Sequence, residues 1–135
     1  MSYPLIRLLP GSENRLRSGQ PWVFSNEVEM SAEAKRLEPG SLVRVQAANG
    51  KIYGVGQFNP HSLIAVRVLT RNKDAVIDRR FFETRFLRAL ALREQMFAEP
   101  FYRLVHAEGD GLPGLIIDRY GRHLVLRINT AGMER

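Results

Sequence analysis

Two carboxylates, three imidazoles and a surplus of arginine are the residues of this chain best able to do chemistry. Glu108 and Asp110 stand two apart in Glu-Gly-Asp-Gly. Such a pair could hold a hard cation such as Mg²⁺, but no third oxygen ligand lies nearby. A glycine-rich turn whose Asp bonds the backbone is therefore the expectation. His61, His106 and His123 lack metal-ligand spacing. His106 falls in an apolar run and reads as a core or edge residue. Gly111-Leu112-Pro113-Gly114 has the composition of a phosphate loop, yet Leu115-Ile116-Ile117 after it reads as a strand. No helix N-terminus is then available to hold an anion. Gly54 and Gly56 fail the same test, and spacing yields no Ser-His-Asp set. The chain has no cysteine, which removes disulfides, thiolate zinc sites and cysteine nucleophiles and fits a reducing cytoplasm.

The cations are more telling. Lys and Arg together number 20 against 14 Asp and Glu, a formal charge of +6. All but Lys35, Lys51 and Lys73 are arginines, whose planar forks match phosphate geometry. A basic chain raises nucleic acid as a partner, although a GC-rich genome would also favour Arg codons. Residues 1–74 carry 10 basic and 6 acidic side chains, and residues 75–135 carry 10 and 8, so the first half is the more positive. Arg15, Arg17 and Trp22 cluster around a glycine turn, pairing phosphate-binding forks with a ring able to stack on a base. Trp22 could equally be a core residue. Arg67 and Arg71, on and just past a strand, could extend a basic surface or simply be solvated.

These residues need elements to position them. At 135 residues one domain or two small ones can be built, with a real core. No apolar run reaches the ~20 residues of a membrane helix, and the N-terminus lacks the apolar stretch of a secretory signal, so no membrane partner is expected. Short strands are predicted at 5–9, 42–47, 52–58 and 63–69. Val43, Val45 and Ala47 alternate with polar residues in the second of these. Asn49-Gly50 marks a hairpin, and Gly54 and Gly56 mark a bulge or a close backbone approach. This run over 1–70 predicts a small β-barrel. Asp78 is a candidate N-cap for a helix of about 79–97, with Phe82, Phe86, Ala89, Leu90 and Phe97 on its apolar face. Strands at 102–107, 115–118 and 123–128 follow, with Tyr120-Gly121 at the last tip. The fold class is α+β, mostly β with one main helix.

Three stretches carry a family resemblance. Arg15 to Glu27 (RLRSGQPWVFSNE) looks like the opening of the bacterial large-subunit ribosomal RNA methyltransferase I family. Tyr102 to Gly121 (YRLVHAEGDGLPGLIIDRYG) is similar to the family's middle-domain signature. Thr130 to Arg135 resembles the segment leading into the catalytic domain. Gln20 stands where the family usually has His, so a charged imidazole at that place is not expected.

The resemblance implies a PUA-like RNA-binding pseudobarrel over 1–72 and a small strand–helix–strand meander as a central linker domain over 75–135. It also implies S-adenosylmethionine as cofactor and 5-methylcytosine as product of the full-length enzyme. The Rossmann-like catalytic domain, with its cofactor site and catalytic cysteines, is expected outside this chain, which itself is expected to hold no cofactor, no metal and no catalytic group. On that reading the chain docks ribosomal RNA through Arg15, Arg17, Trp22, Arg67 and Arg71. The alternatives are a free-standing, non-catalytic PUA-type RNA-binding module, and a structural domain that dimerises through an edge strand of the meander.

Overall fold

The computed structural model describes residues 3–134. The chain opens with strand β1 (Leu5–Arg7), a single helical turn α1 (Asn14–Arg17) and β2 (Trp22–Phe24), then a 3₁₀ turn at Ser25–Glu27 and a short helix α2 (Ala32–Arg36). The predicted strands follow as β3 (Ser41–Gln46), β4 (Ile52–Phe58) and β5 (Ile64–Thr70). These five strands form one sheet in the order β1-β3-β4-β5-β2, with β1 and β3 parallel. Its two edges then meet. Leu8 bridges Val28, the Leu9 amide donates to the Glu27 carbonyl, and the Glu29 amide donates to the Arg7 carbonyl. That closure makes the sheet a pseudobarrel and removes its open edges.

The alternation read at 43–47 is the core pattern. Val43, Val45 and Ala47 are fully buried, and Val43 and Val45 pack with Ile6, Leu8, Phe58 and Val66 inside the barrel. At the Asn49-Gly50 hairpin only Gly50 takes positive φ, at +93°. Its amide donates to the Ala47 carbonyl at 2.9 Å, and the Asn49 Oδ1 accepts from the Lys51 amide at 2.9 Å. The turn therefore needs one left-handed residue rather than two. Gly56 is a close approach: a Cβ there would lie 2.7 Å from the Arg67 carbonyl oxygen. The β4–β5 register also shifts between Val55 and Gly56. The bulge and the close approach thus occur together.

The second half is helix α3 (Arg79–Met96), then β6 (Phe101–His106), a 3₁₀ turn at Ala107–Asp110, β7 (Leu115–Tyr120), β8 (His123–Ile128) and the short helix α4 (Ala131–Glu134). Asp78 caps α3 as expected, its carboxylate accepting from the Phe81 amide at 3.0 Å. The three strands form an antiparallel meander, β6-β7-β8. A second core joins Ala89 to Val105, Leu112, Leu115 and Ile117, with Phe82 and Phe86 packed against it. Two details differ from the sequence pattern. Phe97 lies past the helix end, is partly exposed and stacks on Tyr102, because the helix stops before Pro100 can enter it. The last hairpin tip is Gly121-Arg122, one residue later than expected. Tyr120 still pairs with His123, and Gly121 supplies the positive φ of the first turn position. No helix among the described residues is long and apolar enough to cross a membrane.

Candidate functional site

Three of the five residues singled out from sequence, Trp22, Arg67 and Arg71, converge where the barrel faces the second unit. β2 and β5 are neighbours, and their register sets Trp22 opposite Arg67. The Arg67 guanidinium lies 5.2 Å from the centre of the Trp22 ring, a cation–π arrangement. Its Nη1 reaches Glu108 Oε1 at 3.2 Å. Arg67 therefore ties a barrel tryptophan to the 3₁₀ turn of the second unit. The indole Nε1 of Trp22 is buried and has no acceptor among the described residues. Arg71, at the end of β5, donates to the carbonyls of Leu16 and Gln20. These bonds pin the turn that follows α1, where Gly19 takes φ of +99°.

Arg17 points along α1 to Glu13 at 3.6 Å and stays more than half exposed. Arg15 is set apart: its guanidinium sits 4.4 Å from the centre of the Phe24 ring and 3.9 Å from Glu27. The fork–ring combination expected at Arg15, Arg17 and Trp22 is thus divided. Trp22 takes Arg67 as its cation, and Arg15 takes Phe24 as its ring.

The two carboxylates behave as turn residues. Asp110 Oδ2 accepts from the His106 amide at 2.6 Å and from Arg93 at 2.7 Å, both side chains of the ion pair being largely buried. Glu108 Oε1 accepts from the Gly114 amide at 3.2 Å as well as from Arg67. Each acidic group is held by an arginine and a backbone N–H, the bonding that suits a buried carboxylate. The glycine segment after them runs into strand β7, and His106 is exposed at the end of β6.

A cleft of about 400 Å³ opens between the two units. Gly19, Pro21 and Arg71 line it from the barrel, Arg85 and Arg88 from α3, and Gly111 from the turn. Arg85 donates to the Gly111 carbonyl and lies over the Phe81 ring at 4.2 Å. Burial, and then the neighbouring charge of Arg88, hold its guanidinium below the ordinary arginine value. Sequence reasoning singled out neither Arg85 nor Arg88 as a site residue. The available signal was their spacing of three residues, which puts both on one helical face.

Comparison with known proteins fits this geometry. Residues 6–71 match a PUA-like domain family. The chain is 41% identical over 133 residues to the ribosomal RNA large subunit methyltransferase I of Shewanella denitrificans, covering 96% of this chain and 33% of that protein. Identity is 45% over 132 residues to the protein of the same name from Shewanella amazonensis and 40% over 132 residues to that from Photobacterium profundum, with the same coverage. The chain spans about a third of the length of the curated relatives it matches. Among solved structures it resembles a candidate SAM-dependent methyltransferase from Streptococcus mutans, with a TM-score of 0.79 at 15% identity, over 97% of this chain and 34% of that one. A second, a candidate methyltransferase solved in complex with SAH, gives a TM-score of 0.76 at 16% identity. At such identities these two likenesses speak to the fold alone.

Proposed function

We propose that this chain, which carries a PUA-like domain and is related over nearly its whole length to the ribosomal RNA large subunit methyltransferase I proteins, is the RNA-docking and linking portion of an S-adenosylmethionine-dependent ribosomal RNA cytosine-C5 methyltransferase. The observation that carries the reading is identity of 40–45% running through both units, not the barrel alone. We take residues 1–72 as the RNA-binding unit and residues 75–135 as the unit that sets its orientation, in an enzyme of the cytoplasm. Arg15, Arg17, Trp22, Arg67 and Arg71 remain our contact residues. The exposed Arg17 is the freest fork among them, while Arg67 and Arg71 hold the surface in shape.

S-adenosylmethionine would supply the methyl group, and the residues here do not fit it. The glycine segment at 109–114 leads into a strand, and its Asp110 and the preceding Glu108 are already held by arginine. We therefore assign the cofactor and the catalytic groups to the remaining two-thirds of such an enzyme. The half-exposed Leu87, Leu92 and Met96 of α3 and Leu124, Val125 and Leu126 of β8 are the surface on which we place it.

Two measurements test this. Reading the source gene past the codon for Arg135 should show the frame continuing through a further Rossmann-sized domain of roughly 150–250 residues with cysteines. A stop codon there would leave an RNA-binding module without catalysis. Binding to fragments of large-subunit ribosomal RNA, followed by fluorescence anisotropy, should weaken steeply between about 50 and 200 mM salt. Absent or salt-insensitive binding would overturn the docking role.

A further inference from the structure

The cleft between barrel and α3 has a charge pattern that its own residues leave unbalanced. Three guanidinium groups face it from two units: Arg71 from the end of β5, and Arg85 and Arg88 from α3. The one carboxylate that lines it, Asp110, is committed to Arg93 at 2.7 Å, and Glu108 in the same turn is held by Arg67 at 3.2 Å. Arg71 and Arg85 spend N–H groups on backbone carbonyls, which orient them without cancelling their charge. Arg88 is exposed and has no ion pair or hydrogen bond among the described residues. Neither Arg85 nor Arg88 has an acidic residue three or four positions away along the helix, so no helical pair relieves them. Like charges on adjacent turns beside a partly buried wall repel one another, and a bound anion removes that cost.

We propose that this cleft seats a backbone phosphate of the docked RNA, with Arg88 as the free fork and Arg71 and Arg85 as the oriented walls. The inference rests on the RNA-docking reading above and deepens it. Bound RNA then spans both units instead of lying on the barrel alone, and α3 acts as part of the RNA surface as well as a packing element. A phosphate fits the site because guanidinium forks reach it from two sides. The lining adds no aromatic ring for a base to stack on.

The test is the Arg88→Gln variant of the whole chain, titrated with the same ribosomal RNA fragment at several salt concentrations. Arg88 is exposed, so its replacement is expected to leave the fold intact. Affinity should fall by roughly tenfold at low salt, and the slope of log K against log salt should flatten by about 0.7 to 0.9, the loss of one phosphate contact. Arg88→Lys should recover part of the affinity and all of the slope. Arg127→Gln on β8, which removes the same charge away from the cleft, should change little. If the wild-type chain binds RNA with a steep salt slope and Arg88→Gln binds alike, the cleft proposal is wrong and the docking role survives. Equal losses in Arg88→Gln and Arg127→Gln would also overturn it, since net charge alone would then explain both. A wild-type chain that fails to bind RNA would remove the docking role itself.

Discussion

The two sheets of this chain handle their edges in opposite ways. The first curls until β1 and the segment after β2 meet at the Leu8–Val28 bridge, and its interior is filled by Val43, Val45, Phe58 and Val66, all fully buried. The second stays open. β8 is bonded on one side only, and all six of its residues are exposed, including Leu124, Val125, Leu126 and Ile128. α3 covers one part of the meander yet leaves Leu87 at 65% and Met96 at 62% exposed. A closed barrel needs little beyond itself, whereas a three-stranded meander with a bare apolar edge is a liability until something covers it. The difference teaches that the chain holds one unit complete in its packing and one that is half finished. Their joint, Arg67 between Trp22 and Glu108, is polar.

The largest effect expected from that contrast is on barrel stability. Phe58→Ala empties the largest fully buried side chain of the first core and should cost about 3–5 kcal/mol. Trp22, the only tryptophan, sits in the barrel and reports its unfolding by fluorescence. Leu112→Ala, in the second core, should cost about 2–5 kcal/mol while shifting the Trp22 urea transition much less than it shifts amide signals of β6 and β7. If Leu112→Ala moves the Trp22 transition as far as Phe58→Ala does, the two cores form one cooperative unit and the contrast fails.

The sequence made much of this legible, and the reason differs by element. The period-two run at 43–47 declared its inward face, because both neighbours of that strand are sheet strands and one side must be core. Gly54 and Gly56 declared a close approach because a side chain there would meet the backbone of β5. The closure of the barrel was not legible. It depends on single residues, Leu8 and Val28, in segments with no periodicity of their own. α1 was missed as a helix because four residues are too few for a 3.6-residue pattern to declare itself. At the site, composition pointed to arginine but not to partners. That Arg67 would face Glu108, 41 positions away, is a matter of tertiary register. For the same reason the pairing of Arg85 with Arg71 across a cleft had no local signal.

A smaller effect sharpens the comparison at the joint. Arg67 and Glu108 are partly buried, with side chains about a quarter exposed, at 21% and 27%. A double-mutant cycle with Arg67→Gln and Glu108→Gln should return a coupling of about 1 kcal/mol. Both single variants should red-shift Trp22 emission, since the cation over its ring is lost or loosened. A coupling near zero would mean that the two units merely touch at this point, and that some other contact fixes the angle between them.

The smallest effect lies inside the open meander. Asp118 on β7 accepts from Arg103 on β6 at 2.8 Å, and the bond pulls the carboxyl below the ordinary aspartate value, with the charges of Arg103, Arg127 and His106 adding to it. A carboxyl held low in the folded chain stabilises it fully above the unfolded-state value of about 3.9 and loses that contribution as pH falls through the lower folded value. The pair is close to solvent, so the stability at stake is slight and will shrink with salt. A carboxyl-detected NMR titration should place the Asp118 midpoint below that of a free aspartate, and Arg103→Gln should bring it back up. Asp118→Asn should flatten the stability of β6–β7 against pH only below about pH 4, while the Trp22-reported barrel transition keeps its pH profile. If the barrel profile flattens as well, this strand pair is coupled to the first core, and the second unit is less independent than its bare edge implies.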